Sequence, residues 1–383
     1  MHRSRPLVAI AMAIATLLAV SAGAASATTS AVVGHVYVNN NTIANTISGF
    51  DRHADGSLTP IAGTPFVASG AGRGTPTGSA GALQLSADRR YLLAVDAGSN
   101  EVSVLRIRAN GSLRLVDRTS SRGTTPLSIA VHGELVYIAN AGAGGSNYTG
   151  FTLGAGGRLS PLARSTVALP DGANPGQVLF SPNGRHLVGT RVGPDSGPSF
   201  IDSFAVRPNG RLTAAPGSPF AAQGVGPFGS EFRPTNSSQL FVSNAHNGPG
   251  NGTVSAYNVA ADGTLSAVTG SPFADSQTAP CWVEISHDGA YLFAINTGVP
   301  SISRYSIAAG GALSLIGSTP FNSPSGLRPF DARLDPSGHF LYVVDAGAAK
   351  ISAFAVDGGS LTELGSSPFA IPGGGAPFGI VVN

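Results

Sequence analysis

A four-strand pattern recurs along this chain and constrains its fold more than any other feature. Residues 279–321 hold its clearest copy, in which four strand-length apolar runs are separated by turns of Gly, Pro, Asn or Asp. Each run is rich in β-branched or aromatic residues, which favours strands. The copy therefore predicts a four-stranded antiparallel sheet.

The copies recur at spacings of 46 to 53 residues. A period of this length with four strands per unit is typical of one blade of a β-propeller. The copies open at Ala80, Pro126, Pro175, Pro227, Pro280, Pro329 and Pro377. We therefore predict an all-β fold, a β-propeller of four-stranded antiparallel blades.

The two ends of the chain predict how the ring closes. The N-terminal copy begins with a second strand, residues 36–39, and the C-terminus holds only a first strand, residues 378–382. One blade is therefore predicted to be shared between the ends, and together with six whole copies it gives seven blades. This pairing would remove the exposed edges that an open sheet leaves.

The first 27 residues are interpreted as a secretory signal peptide. Arg3 and Arg5 precede an apolar run at residues 7–20, which is short for a membrane span, and Ala25-Ser26-Ala27 is a small-residue cleavage site. An uncleaved anchor is the alternative. We expect residues 28–383 to form a single propeller domain that is secreted or held in the cell envelope, without membrane association after cleavage.

The composition excludes several partners. Removing the signal takes two of the 22 basic residues and none of the 20 acidic ones, so the remainder is neutral. A neutral protein offers no electrostatic basis for binding nucleic acid. Cys281 is the only cysteine, so no internal disulfide can form. We expect a monomer whose partner is a small molecule or an extracellular protein.

Loops on one face of the predicted ring are the natural place for a functional site. The longest of them is residues 244–252, and the next is residues 191–198. His246 in the longer loop is our candidate for proton transfer, although a single loop histidine is more often merely solvated. No metal-ligand spacing is present, so we predict neither a metal nor a cofactor.

Charged residues on the predicted inner strands are unusual. Glu231, Glu284 and Arg333 stand at the fourth position after the opener of three successive copies, and Asp331 lies two residues before Arg333. Charges there are costly to bury unless they are paired. The favoured interpretation is an ion pair of Glu284 with Arg333 between blades. The alternative is a ligand site made of all four residues at the channel mouth.

Other polar residues complete the candidate set. Arg191, Asn244 and Asn296 each end a predicted second strand, on the face where we expect the site. Arg304 lies on a third strand beside Tyr305 and is either a surface residue or a clamp for a ligand. We predict ligand contacts for Asn244, Asn296 and Arg304.

Three of the copies carry a resemblance to a known family. They read FSPNGRHLVGT, ISHDGAYLFAIN and LDPSGHFLYVVD, and the turn ADGTL followed by GSPF supports them. The sequence resembles the lactonase-like seven-bladed propellers, which include 6-phosphogluconolactonase and the carboxymuconate-cyclising enzyme. Related YVTN-repeat propellers share this rhythm without the chemistry. The resemblance implies a propeller with a channel-mouth site for lactone hydrolysis or lactone formation.

The chain departs from this family at the motifs that carry the chemistry. Enzymes of the family have His-Pro-His and Gly-Pro-Arg-His openers, and an Asn-Glu pair ends a second strand. The corresponding places in this chain read Asn174-Pro175-Gly176, Gly226-Pro227-Phe228-Gly229 and Asn244-Ala245. We therefore expect a mouth without the family's usual base, cation and carboxylate, and a protein that acts mainly as a binding or interaction module.

The alternative function is an enzyme that opens a lactone. His246 would then be the base, Glu231 and Arg191 the nearest substitutes by position, and Arg304 or Arg333 the group that stabilises the developing oxyanion. Convergence of His246, Arg191, Arg304 and a carboxylate would favour the enzyme. A simple Glu284–Arg333 pair and a solvated His246 would favour the module.

Overall fold

The structure is a computed structural model that describes residues 1–2 and 30–383. The cleavage site and apolar run of the predicted signal peptide lie outside the described residues. Seven antiparallel sheets surround a central channel, which confirms the predicted seven-bladed β-propeller. None of the described residues forms a helix long and apolar enough to cross a membrane.

The strands follow one another blade by blade along the chain. The shared blade begins with β1 (Val32–Asn39), β2 (Thr46–His53), β3 (Leu58–Pro60) and β4 (Phe66–Val67). Blade 1 holds β5 (Leu83–Leu85), β6 (Tyr91–Asp96), β7 (Glu101–Ile107) and β8 (Leu113–Ser120). Blade 2 holds β9 (Pro126–His132), β10 (Leu135–Asn140), β11 (Asn147–Leu153), β12 (Leu159–Pro161) and β13 (Val167–Ala168). Blade 3 holds β14 (Pro175–Phe180), β15 (His186–Arg191), β16 (Phe200–Val206), β17 (Leu212–Ala214) and β18 (Phe220–Ala221).

The remaining blades follow the same order from the channel outward. Blade 4 holds β19 (Pro227–Arg233), β20 (Asn236–Asn244), β21 (Thr253–Val259), β22 (Leu265–Ala267) and β23 (Phe273–Ala274). Blade 5 holds β24 (Pro280–Ile285), β25 (Tyr291–Asn296), β26 (Ser301–Ile307) and β27 (Leu313–Pro320). Blade 6 holds β28 (Pro329–Leu334), β29 (Phe340–Asp345), β30 (Lys350–Asp357), β31 (Ser360–Glu363) and β32 (Phe369–Ala370). The last strand, β33 (Phe378–Val382), completes the shared blade.

The second strand of each blade is apolar on both faces because each face packs against a neighbouring blade. In β25, Leu292, Phe293, Ala294 and Ile295 are all fully buried. Leu292 packs in a cluster with residues of blade 4, whereas Phe293 packs in a cluster with residues of blade 6. Continuous apolar runs such as LFAI are therefore the sequence signature of a blade sandwiched between two others.

The C-terminal strand closes the ring as predicted. β33 pairs antiparallel with β1, and the register places Ile380 opposite Val38 and Val381 opposite Tyr37. Arg52 fastens this junction, since its guanidinium lies 3.0 Å from the Asp335 carboxylate of blade 6 and also donates to the main-chain oxygen of Asn383. Where the N-terminal and C-terminal parts of the shared blade meet, neither β1 nor β33 is therefore left with an unpaired edge toward the other.

The outer strand is continuous in only two blades. In blades 1 and 5 it is one strand of eight residues, β8 and β27. In the other five it consists of two short strands that both pair with the third strand. Four of these breaks contain a proline, which lacks the N–H that would continue the ladder. They are Pro65, Pro219, Pro272 and Pro368.

The segment that enters blade 1 differs from the other openers. The sequence places Ala80 level with the prolines that begin the other inner strands, but β5 begins only at Leu83. The residues before it leave the blade and enter the channel. The Ala80 amide donates to Gly176 of blade 3, and the Gly81 amide donates to the Asp331 carboxylate of blade 6. We call residues 74–80 the strap.

Candidate functional site

Polar side chains deep in the channel join blades 2 to 6, each to the next. The amide of an inner strand in one blade donates to a side-chain oxygen of the blade before it. The donor–acceptor pairs are Val178 with Ser128, Ser230 with Gln177, Ile285 with Glu231, and Leu334 with Glu284. These bonds satisfy amides that face the channel and would otherwise lack a partner.

The ion pair between Glu284 and Arg333 is present. Arg333 Nη1 lies 2.8 Å from Glu284 Oε2, while Glu284 Oε1 accepts the Leu334 amide at 2.8 Å. The guanidinium also lies 4.5 Å from the centroid of the Trp282 ring, a cation–π contact. Every group of this cluster therefore has a partner within the chain.

The neighbouring acids resist ionisation. Burial, and then the charge of Glu284, raises the pKa of Glu231, although part of the Glu231 surface remains accessible. Burial likewise raises the pKa of Asp331 to about 7. These four residues therefore lie near one another but below the mouth, and they bond between blades; a ligand site made of Glu231, Glu284, Asp331 and Arg333 stays a prediction.

The mouth of the channel holds two adjoining cavities, separated by the strap. One has a volume of about 390 Å³ and is lined by Arg73, Asn174 and Asp195; we call it the Arg73 cavity. The other has a volume of about 580 Å³ and is lined by Arg328 and Thr297; we call it the Arg328 cavity. Residues shared by both cavities are Pro76, Thr77, Gly78, Phe228 and His246.

His246 lies between the two cavities and faces a carboxylate. Its Nδ1 is 3.2 Å from Asp195 Oδ1, although the angles do not meet those of a hydrogen bond. The ring packs edge-on against Phe228 with centroids 6.0 Å apart. Gly226 makes room for it, because a Cβ there would lie 2.5 Å from His246 Cγ. The imidazole is thus held at the mouth, with 26% of its side chain exposed.

Two arginines supply positive charge at the mouth. Arg73 and Arg328 are exposed, and neither guanidinium forms an ion pair or hydrogen bond with any residue in the range 30–383. The mouth therefore carries cations from positions other than the family motifs, and the absence of the family's usual groups stays a prediction. Arg73 comes from the loop before the strap, whereas Arg328 directly precedes the opening Pro329 of blade 6.

Four other predicted residues lie away from both cavities. Arg191 is held by Asp202, with Nη2 and Oδ1 2.6 Å apart. Arg304 donates to the main-chain oxygen of Gly359 in blade 6. Asn244 and Asn296 are fully buried, and each donates to a serine on the third strand of its own blade.

The structure thus brings only part of the predicted set together. His246 meets a carboxylate, but Arg191 and Arg304 do not join it at the mouth. The ligand and catalytic roles assigned to these residues stay predictions.

Arg328 could have been singled out in the sequence by its place before an opening proline. The residue before the opening proline has a positive φ in five blades, and the other four are Thr125, Asn174, Gly226 and Ala279. Their φ values lie between 44° and 68°, in the left-handed region, whereas that of Arg328 is 120°. A long cationic side chain at a place otherwise occupied by small residues therefore marks a special position.

The described residues contain no group of three or more His, Cys, Asp or Glu side chains arranged to hold a metal ion. Cys281 is buried on the floor of the Arg328 cavity, and burial raises the pKa of its thiol to about 11. The floor beside it is aromatic, from Phe228 and Phe330. The mouth thus combines an apolar floor with a cationic rim.

A family model described as a lactonase, seven-bladed β-propeller, matches residues 32–172 and 167–376. The chain belongs to this lactonase family. No curated protein matches the sequence.

Solved structures of similar fold come from several bacteria. A putative 6-phosphogluconolactonase from Bacteroides fragilis is 22% identical with a TM-score of 0.72, covering 91% of this chain and 98% of its own. The periplasmic gluconolactonase of Pseudomonas aeruginosa is 18% identical with a TM-score of 0.69, over the same shares of the two chains. A structure from Desulfotomaculum acetoxidans, described as functionally unknown, is 14% identical with a TM-score of 0.67. At these identities, the similarity between these structures and this lactonase-family chain shows a shared fold only.

Proposed function

We propose that this lactonase-family propeller is a binding module whose channel mouth takes a small sugar acid or its lactone. The observation that carries the proposal is the Arg73 cavity. It places an unpaired guanidinium, the His246 imidazole and the Asn174 amide around about 390 Å³, with Phe228 at its wall. Arginine suits a carboxylate, and the amide and imidazole suit hydroxyl groups.

The relatives support the choice of ligand class. Two structures that share the fold are described as a putative 6-phosphogluconolactonase and a gluconolactonase. The departures from the family's motifs, at Gly176, Phe228 and Ala245, favour binding over turnover. Binding needs only complementary groups in the cavity, whereas lactone hydrolysis also needs a placed base and a stabilised oxyanion.

Isothermal titration calorimetry with D-gluconate tests the binding proposal. We expect Arg73→Gln and His246→Ala each to weaken binding about tenfold, the usual effect of losing one charged or polar contact. Arg114→Gln, an exposed arginine on the outer strand β8, is the matched control and leaves binding unchanged. If the wild-type protein gives no heat with gluconate or its lactone, the proposal is wrong.

The approach of His246 to Asp195 favours a second candidate, lactone hydrolysis. With Nδ1 facing Asp195, Nε2 would remove a proton from water. The water oxygen would then form a bond to the lactone carbonyl carbon, the ring C–O bond would break, and the leaving alkoxide would take the proton. Arg73 would stabilise the negative charge on the carbonyl oxygen.

Turnover separates the two candidates. If D-glucono-δ-lactone opens faster with the protein than in buffer, and His246→Ala removes the acceleration, the protein is a hydrolase. If the ligand binds without turnover, it is a module. The Asp195→Asn variant provides a further check, because a hydrolase would lose activity while a binder would keep gluconate affinity.

We further propose that the protein is exported. The support is the charged start with Arg3 and Arg5, the apolar run and the Ala25-Ser26-Ala27 site. N-terminal sequencing of the protein from culture medium or a periplasmic extract tests this. A first residue of Thr28 is expected, whereas an intact Met1 in the cytoplasmic fraction would refute it.

A further inference from the structure

The strap is held by hydrogen bonds at both ends but not at its tip. Asn41 Nδ2 donates to the Thr75 oxygen at 2.9 Å on one side. Ser79 Oγ donates to the Leu127 oxygen of blade 2, at 2.5 Å, on the other. Within residues 30–383, no hydrogen bond is made by Pro76, Thr77 or Gly78. The tip lies against Phe228 of blade 4, since a Cβ on Gly78 would be 3.0 Å from that ring.

The two cavities that the strap separates differ in chemistry. The Arg73 cavity has an acidic residue, Asp195, and several polar groups along its wall. Among the residues that line the Arg328 cavity, none is acidic. Its floor carries Phe228, Phe330 and the neutral thiol of Cys281, while the polar side chains of Thr77, Thr297 and His246 lie along its wall. The Arg328 cavity is therefore apolar below and cationic above.

Arg328 is placed there at a conformational disadvantage. Its φ of 120° lies outside the left-handed well that the four equivalent residues occupy, in a region that strongly favours glycine. Strain of this kind persists where the surrounding structure imposes it, and it is concentrated at binding sites. The guanidinium lies 5.9 Å from the centroid of the Phe330 ring, so charge and aromatic floor face the same space.

We propose that the Arg328 cavity is a separate subsite for a carboxylate attached to a flat, apolar body. This inference rests on the proposal that the mouth binds small molecules, but it assigns a second ligand class to a second compartment. The carboxylate pairs with Arg328, which has no acid beside it to compete. The flat body lies on Phe228 and Phe330, and the strap tip closes the side toward the Arg73 cavity.

The ligand class follows from what each group of the cavity tolerates. A polyhydroxylated chain would place hydroxyl groups against Phe330 and Cys281, where they would find no hydrogen-bond partner. A neutral aromatic molecule would fit the floor but leave the guanidinium without a counter-charge. A benzoate-like anion satisfies both, because aromatic faces stack and arginine binds carboxylate through two parallel N–H groups.

Calorimetric titration of the full-length protein tests the assignment with three probes: benzoate, benzamide and D-gluconate. We expect benzoate to bind at least tenfold more tightly than benzamide, its neutral isostere. We expect Arg328→Gly and Arg328→Gln each to weaken benzoate binding by about 10- to 100-fold, the range for one charged contact. Circular dichroism of each variant confirms that the fold is intact, and the glycine relieves the strain at this position.

The arginine of the other cavity is the matched control. Arg73→Gln is expected to leave benzoate binding unchanged, and Arg328→Gly to leave gluconate binding unchanged. Benzoate affinity that is insensitive to both Arg328 variants, or that falls equally in Arg73→Gln, overturns the subsite. Gluconate binding without any benzoate binding also refutes it while leaving the proposed function standing. Benzoate binding without any gluconate binding would support the subsite and refute the sugar-acid ligand of the proposed function.

Discussion

The middle and the mouth of the channel use charged side chains in opposite ways. In the middle, Glu284 and Arg333 pair with each other, and Glu284 also accepts an amide of the next blade. At the mouth, Arg73 and Arg328 are exposed, without an ion-pair partner in the described part of the chain. Charges of the first kind are needed by the fold, and charges of the second kind are available to a ligand.

The comparison also shows why inner strands can carry charge. A carboxylate in a protein interior is unfavourable unless groups of the chain replace water around it. The channel supplies such groups as amides on the inner edge of the neighbouring blade, as Ile285 does for Glu231. A charged side chain on an inner strand thus serves mainly to connect neighbouring blades.

Removing the closing strand is expected to have the largest effect. Burial of Phe378, Ile380, Val381 and Val382 contributes roughly 1.5–3 kcal/mol each, so deletion of residues 376–383 removes as much as a typical domain's stability. We expect no folded protein, as judged by circular dichroism and gel filtration. A soluble truncation that melts at the wild-type temperature would contradict ring closure by β33.

Glu284→Ala tests the middle of the channel against the mouth. It leaves the Leu334 amide and the Arg333 guanidinium without their partner, and we expect a loss of about 2–4 kcal/mol. This is below the usual range for a buried pair, because 22% of the Arg333 side chain is exposed. Urea denaturation measures it, with Arg73→Ala at the mouth as the control that changes stability little. Equal losses of stability in the two variants would contradict the proposed difference between the middle and the mouth of the channel.

The smallest expected change in stability is that of Asp345→Asn, and its size depends on pH. Burial raises the pKa of Asp345 to about 7, while the unfolded chain releases that proton near 3.8. Between these values the folded state binds more protons, so stability falls as pH rises through the window. Asparagine already occupies the equivalent place in blade 5, where Asn296 donates to Ser303. We therefore expect Asp345→Asn to stabilise the protein by ~2 kcal/mol at pH 8 and much less at pH 4.

Thermal melts of the wild type and Asp345→Asn across pH 4 to 8 provide the measurement. Asp331 also has a raised pKa, so the wild type itself is expected to lose some stability over this range. The difference between the two proteins isolates Asp345. A constant difference at all pH values would show that Asp345 stays ionised in the folded state.

The fold was predictable from the sequence because the same pattern of strands and turns recurs from blade to blade. Turn residues mark every hairpin, and the missing first strand near Tyr37 and the surplus strand around Ile380 together predict the shared blade. The prediction was inaccurate at Ala80, where the spacing of the repeat indicates an opener but the chain crosses the channel instead. A repeat shows which positions of different blades are equivalent in sequence. It does not show where the backbone of one blade departs from the path of the others.

The candidate site was less accessible to the same reasoning. The register brought Glu284 and Arg333 together, because both stand at the same place on adjacent inner strands. Asn244 appeared available for a ligand because it ends a strand, yet it turns inward to Ser255. Arg73 and Arg328 lie in irregular segments, where sequence position alone does not determine which side chains converge.

Asn41 couples the strap to the closure of the ring. The same amide group that donates to Thr75 of the strap also donates to the Ala376 oxygen, just before the final strand. The partition between the two compartments is therefore anchored to the segment that leads into the closing strand. A molecule in which β33 has not docked would lose this anchor and have one undivided vestibule, so selectivity for two ligand classes would depend on closure of the ring.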